Sequence, residues 1–199
     1  MTTPLCRRLP VKKNASIHHF RLFLGGLLAA MMLLAGAASA QQTFDFKTHP
    51  YFKNLQGDWT SEGQGGSTGG KVERYKVQWK GEASDANTFT IEGAVEAEGK
   101  TTHYKKTITR SASGAFEAVI QPDTSKPATQ RYTVQLSPDG TRMEMTLLLA
   151  NKAKQVIVDA FKAGGHDELE YKLKITDATG AVTYSSASAS KRVKSAASQ

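Results

Sequence analysis

Cysteine is nearly absent: Cys6 is the single one in 199 residues, beside five histidines and six prolines. With its one thiol so close to the start, the chain holds no internal disulfide framework and no cysteine-based metal site. Histidine does not replace it. Beyond residue 40 only His49, His103 and His166 remain, none in H-x-H or H-E-x-x-H spacing, so no zinc site is written in the sequence. The 18 acidic residues form no pairing that the sequence can place for acid–base work, and no motif assigns an enzymatic activity.

Acidic residues are missing altogether before Asp45. Residues 1–21 carry Arg7, Arg8, Lys12, Lys13 and Arg21, and the stretch from Leu22 to Ala40 is uncharged, apolar and closed by Ala38-Ser39-Ala40. A basic segment, an apolar segment and small residues before a break make a bacterial export signal, with cleavage expected after Ala40. The apolar stretch nears the ~20 residues of a membrane span, which leaves an uncleaved anchor open. Arg7-Arg8 with Lys12 echoes a twin-arginine signal, although Pro10 stands where that motif has an aromatic, so the general and twin-arginine routes both stay open. Cys6 precedes the apolar stretch and is no ordinary lipoprotein acylation site. The expected product is a periplasmic or secreted protein that starts at Gln41, lacks cysteine and has no stable membrane insertion.

The remainder is ordinary in composition, with 39% hydrophobic and 22% charged residues over the whole chain, and long enough for one domain. Residues 41–56 form a lead-in with Phe44, Phe46, Tyr51, Phe52 and Leu55 available as a plug, and Thr48 is expected to cap one helical turn at Pro50. After Gly57 the period is two. Phe89, Ile91, Gly93, Val95 and Ala97 alternate with polar neighbours, and Tyr75/Val77/Trp79, Phe116/Ala118/Ile120, Tyr132/Val134/Leu136, Met143/Met145/Leu147/Leu149 and Leu169/Tyr171/Leu173/Ile175 repeat the pattern. Residues 151–163 read as a strand, facing inward through either Ile157 and Phe161 or Val156 and Val158; a helical stripe of Val156, Ala160 and Ala163 is the alternative. The last strand is expected to start at Val182 and Tyr184, leaving Ser186 to Gln199 as a small-residue tail.

Turn signals such as Pro138-Asp139-Gly140 and Thr179-Gly180 separate these segments about every ten residues. Short turns impose antiparallel neighbours. The predicted fold is all-β, a single antiparallel up-and-down barrel of about ten strands behind a short helical turn and a signal peptide. Its parts are residues 1–40 (signal), 41–56 (lead-in), 57–190 (barrel) and 191–199 (basic tail). This division resolves the formal charge of +8: five of the 26 basic residues lie in the signal, leaving 21 against 18 acidic ones. Lys191, Arg192 and Lys194 supply that surplus of three, so the barrel is expected to be neutral and no nucleic-acid partner is implied.

The run Leu55-Gln56-Gly57-Asp58-Trp59-Thr60, an aromatic lead-in followed by Gly-x-Trp opening the first of many hairpin-linked strands, resembles the lipocalin-like (calycin) barrels. Within them it is similar to an uncharacterised bacterial secreted group and to the nitrobindin branch. The resemblance, from Thr48 to about Lys194, implies a structural Trp59 across the barrel floor. In the nitrobindin branch a late-strand histidine binds haem iron; the late histidine here, His166, sits in the turn Gly164-Gly165-His166-Asp167, so a haem cofactor is not expected.

Two glycine motifs fail on context. Gly65-Gly66-Ser67-Thr68-Gly69 matches the nucleophile elbow and Gly65 to Lys71 the start of a phosphate loop, but a strand follows where both need a helix, and Val72 replaces the magnesium-binding hydroxyl. Both read as a glycine-rich loop. The sharper signal is on the strand from Thr101 to Arg110, where a strict period of two turns Lys106 and Arg110 inward with Tyr104 and Ile108. Inward cations beside aromatics suit an anionic lipophile, with Lys106, Arg110, Tyr104, Trp79, Tyr75 and Tyr171 as the candidate ligand-binding residues. A bulge that flips the register, or snorkelling to the rim, would leave these aromatics as core packing. The leading expectation is an exported barrel that binds a small apolar or amphipathic ligand. The alternatives are a structural or interaction barrel with a filled interior and a haem-binding barrel.

Overall fold

The computed structural model describes residues 44–127 and 130–194, so the expected signal peptide, its cleavage point and the end of the tail lie outside the described residues. The lead-in turns back on itself where the Asp45 carboxylate accepts the Lys47 N–H at 2.8 Å. Helix α1 (Pro50–Leu55) follows, started by a proline whose preset φ suits a first helical turn. Its N-cap is His49, with no side-chain cap bond. Thr48, expected as the cap, instead lies 3.4 Å from the Asp45 carbonyl through its hydroxyl.

Ten strands follow: β1 (Gly57–Ser67), β2 (Glu73–Asp85), β3 (Thr88–Ala97), β4 (Lys100–Arg110), β5 (Phe116–Gln121), β6 (Gln130–Leu136), β7 (Arg142–Leu148), β8 (Lys154–Phe161), β9 (Glu168–Thr176) and β10 (Val182–Arg192). Each pairs antiparallel with its neighbours in sequence, and β10 closes on β1, so no edge is left unpaired. The fold is the all-β up-and-down barrel that the alternation predicts.

One reading with an open alternative is settled and three others change. Residues 154–161 are strand and not helix: the β-branched run Val156-Ile157-Val158 favours extended backbone, and the inward set is Ile157, Asp159 and Phe161. Residues Ser186 to Arg192 are not tail, because β10 runs through them, pairing with β1 from Ser67↔Tyr184 to Trp59↔Arg192. Their side chains are too small to signal a strand, but barrel closure needs only their backbone ladder. Gly65 to Ser67, read as loop, end β1, and Leu149, placed in the series of β7, lies beyond its end and is exposed.

One end of the barrel is shut. Phe46, Tyr51, Phe52 and Leu55 are buried there against Phe89, Ile108, Met143 and Phe161. Gly81 admits this plug: a Cβ at that position would stand 2.5 Å from the Leu55 carbonyl oxygen. Trp59 is buried on the first strand, stacks on Trp79 with centroids 5.1 Å apart, and donates its indole N–H to the Leu55 carbonyl at 3.2 Å. Arg192, from the far end of the chain, lies over Trp59 with its Cζ 4.5 Å from the ring centroid. Its guanidinium donates to the Asn54 and Gln56 carbonyls and, at 3.1 Å, to Asp167. Carbonyls at a helix C-terminus lack partners within the helix, so one side chain ties α1, β1 and the β8–β9 loop together.

Candidate functional site in the barrel lumen

Above the Trp59–Trp79 stack the barrel is not filled. A cavity of about 500 Å³ runs from Leu55 and Trp79 at the floor to Glu73, Pro122 and Tyr184 at the opposite end, the mouth. Its origin is the wall made by β1 and β10, whose inward positions are Ser61, Gly63, Gly65, Ser186, Ser188 and Ser190. These side chains are too short to reach the axis. Gly63 is required, since a Cβ there would lie 2.5 Å from the Ser188 Cβ and 2.6 Å from the Tyr75 ring.

The remaining wall is apolar with polar insertions. Lys106 on β4 and Asp159 on β8 are both buried, with side chains 9% and 5% exposed, and Lys106 Nζ donates to Asp159 Oδ2 at 3.2 Å. β4 and β8 stand apart in the closed strand order with β5, β6 and β7 between them on the shorter way round, so the bond crosses the lumen. Burial of either ion alone would be costly; each supplies the other's counter-charge. The strict period of two therefore holds at Lys106.

Tyrosines complete the wall. Tyr75 Oη and Ser186 Oγ share a hydrogen bond of 2.6 Å, and Tyr132 donates to Gln130 Oε1 at 3.0 Å. Burial, and then the negative charge of Asp159, holds the phenols of Tyr104 and Tyr171 well above the ordinary tyrosine range. Burial pushes Tyr132 up to about 12. At neutral pH these groups are uncharged hydroxyls in a largely apolar chamber.

Of the candidate residues, Lys106, Tyr104, Trp79, Tyr75 and Tyr171 line this one cavity. Arg110 does not. It shares the inward parity of Lys106, but four residues along a strand carry it ~13 Å toward the shut end, where its Cζ lies 5.3 Å from the Phe44 ring centroid. Asp159 is the site residue that the sequence reading did not single out. The signal was available: an inward lysine needs an acid partner, and choosing Ile157 and Phe161 as the inward pair places Asp159 between them on the same face.

The three described histidines lie elsewhere. His103 is exposed on β4, His166 sits on the β8–β9 loop with its ring 5.2 Å from that of Phe161, and His49 packs 4.8 Å from Phe44. Among the described residues no imidazole lines the cavity, so none of them is placed there to ligate a haem iron.

Fold and site together define a closed ten-stranded antiparallel up-and-down barrel with a chamber along its axis. Among solved structures, the chain is similar to the S-type phycobiliprotein lyase CPES from Guillardia theta, at 15% identity and a TM-score of 0.52, over 73% of this chain and 92% of that one. It also matches Rv2717c from M. tuberculosis at 15% identity and a TM-score of 0.47, over 71% of this chain and 94% of that one. A third match is a DUF3598-family protein of unknown function from Nostoc punctiforme PCC 73102, at 14% identity and a TM-score of 0.48, over 71% of this chain and 48% of that one. No family model and no curated protein matches the sequence. At these identities the likeness is one of fold.

Proposed function

We propose that the protein is an exported carrier that binds a small, uncharged, lipophilic molecule in the barrel lumen. The observation that carries this reading is the chamber of about 500 Å³, which lies within the ~300–1,000 Å³ range of small-molecule sites. Its apolar wall, with a few fixed hydroxyls and one ion pair, matches the usual pattern of such sites. An anionic ligand is the weaker variant, because Lys106 already has its counter-ion in Asp159 and a ligand carboxylate would bring an excess negative charge into the lumen. The crossing pair instead offers one donor and one acceptor to a neutral head group. A filled, purely structural barrel is disfavoured by the same volume. Export rests on the order of charge, apolar stretch and small residues in residues 1–40.

Titration with N-phenyl-1-naphthylamine, a neutral lipophilic fluorophore, tests the reading. Trp79 lines the cavity, so saturable one-to-one binding with quenching of tryptophan emission is expected. Ser188→Phe, which fills the chamber from β10, is expected to abolish binding while leaving the far-UV circular dichroism unchanged. Absence of saturable binding, or binding indifferent to Ser188→Phe, overturns the reading. Export is checked separately by the intact mass of periplasmic protein, which should begin at Gln41.

A further inference from the structure

Five large apolar side chains are conspicuously exposed among the described residues: Val72, Leu148, Leu149, Val182 and Val193. Four of them stand at the mouth, and only Val193 is at the shut end. Leu148 ends β7, Leu149 follows it, Val182 opens β10, and Val72 lies between β1 and β2. Leu148 pairs with Lys154, Lys154 with Thr176 and Thr176 with Val182, so one row of the sheet runs along the rim across four strands. The β1–β2 turn joins this sector, because Thr68 donates its N–H to the Thr183 carbonyl at 3.0 Å and its hydroxyl to the Val182 carbonyl at 2.6 Å. The exposed aliphatics form one arc of the mouth.

Lysines accompany the arc. Lys152, Lys154 and Lys174 make no ion pair among the described residues, while Lys172 pairs with Glu170 and Lys71 with Glu98. The acids in this sector are few. Asp177 is held in its own turn by the N–H groups of Thr179 and Ala181, and Glu73 lines the mouth of the lumen. Lys172, Lys174 and the glycine-rich turn with Val72 also line an outer groove of about 490 Å³.

We infer that this arc of the mouth docks on an anionic lipid surface, with the four aliphatics entering the interfacial layer and Lys152, Lys154 and Lys174 meeting the lipid phosphates. Aliphatic tips interspersed with lysine suit a membrane interface. Protein interfaces, in contrast, are depleted of lysine and enriched in aromatics, and this arc has no aromatic among its exposed tips. The orientation sets the open end of the lumen against the lipid, where a lipophilic ligand would enter or leave. That purpose rests on the carrier reading, but docking itself requires no ligand.

The test is co-sedimentation of the protein, as its host processes it, with sucrose-loaded vesicles of phosphatidylcholine alone or with 30% phosphatidylglycerol. Binding to the anionic vesicles is expected, weakened at least tenfold by raising salt from 50 to 500 mM and by Lys152→Glu/Lys154→Glu together. Leu148→Ser/Leu149→Ser should weaken it to a similar degree, whereas Val193→Ser, at the shut end, should leave it unchanged. Because the variants share one N-terminal segment, any contribution from that segment cancels in the comparison. No binding to anionic vesicles, or equal binding by mouth and floor variants, overturns the inference. So does a vesicle-free dimer in sedimentation velocity that Leu148→Ser abolishes, which would assign the arc to a second copy of the chain. If the unmutated protein binds N-phenyl-1-naphthylamine but no anionic vesicles, docking alone is overturned; if it binds the vesicles but not the fluorophore, the carrier reading alone is overturned.

Discussion

The two ends of the barrel are built from different materials. At the shut end, aromatic rings pack edge to face, with Phe46 and Phe52 4.4 Å apart and Phe44 and Phe116 4.8 Å apart, and Arg192 ties three chain segments to one another. Toward the mouth, the inward side chains on β1 and β10 are Gly and Ser up to Tyr184 at the rim, and aliphatic tips point to solvent. Burial of large apolar groups is the main source of stability in a chain of this size. The floor therefore holds the fold, and the mouth is free to be shaped for contact with other molecules. The Lys106–Asp159 bond lies between them, within the barrel but facing the chamber.

The largest effect is expected at the floor. Trp59→Ala removes a fully buried side chain, its stack on Trp79 and the seat of Arg192, and should cost about 3–5 kcal/mol in urea unfolding. A cost below about 1 kcal/mol would mean that the two ends contribute alike.

The crossing ion pair comes next. Asp159→Ala leaves Lys106 buried and alone, and a loss of about 3–5 kcal/mol is expected from breaking such a pair. Lys106→Met with Asp159→Leu removes both charges and should recover most of that loss, while changing the ligands that the lumen accepts. If the double variant were as unstable as Asp159→Ala, the pair would be a structural strut and not a replaceable lining of the chamber.

The same division governs what could be read from sequence. Strands β2 to β7 and β9 were legible because they bury large apolar residues at every second position: Phe89 and Ile91, Tyr132 and Val134, Leu169 and Tyr171. β10 was legible only at its start, Val182 and Tyr184, because beyond it a strand that lines a cavity with Ser186, Ser188 and Ser190 has no apolar period to detect. Arg192 was consequently assigned to a tail. Lys106 was legible through parity alone, but its partner is 53 residues away and is joined to it only by barrel closure. Arg110 shows the limit of parity, which gives the face of a strand and not the height along the axis.

A smaller effect separates the chamber from the outer surface by pH. In the folded protein burial raises the Tyr104 and Tyr171 phenols well above 10 and Tyr132 to about 12, whereas unfolding returns them to the ordinary value near 10. The folded state thus favours the neutral phenol. Its stabilisation is complete below pH 10 and is lost as the pH climbs from 10 through about 12, because the unfolded chain releases these protons first. Absorbance at 295 nm should show them titrating only with unfolding, and the urea midpoint should fall over that window. Tyr132→Phe should flatten part of the fall.

The smallest effect on stability is expected at the mouth, and its smallness is what would sharpen the contrast. Leu148 is 74% exposed, so Leu148→Ser removes little buried area and should change the unfolding free energy by no more than about 0.5 kcal/mol. Exposed aliphatic residues of this kind contribute almost nothing to holding the fold, and each adds a risk of self-association. If Leu148→Ser instead destabilised the barrel by more than about 1 kcal/mol in urea unfolding, the arc would be part of the packing of the sheet. A near-zero change, set against the several kcal/mol expected for Trp59→Ala, would place the reason for these side chains outside the barrel, in whatever surface the mouth meets.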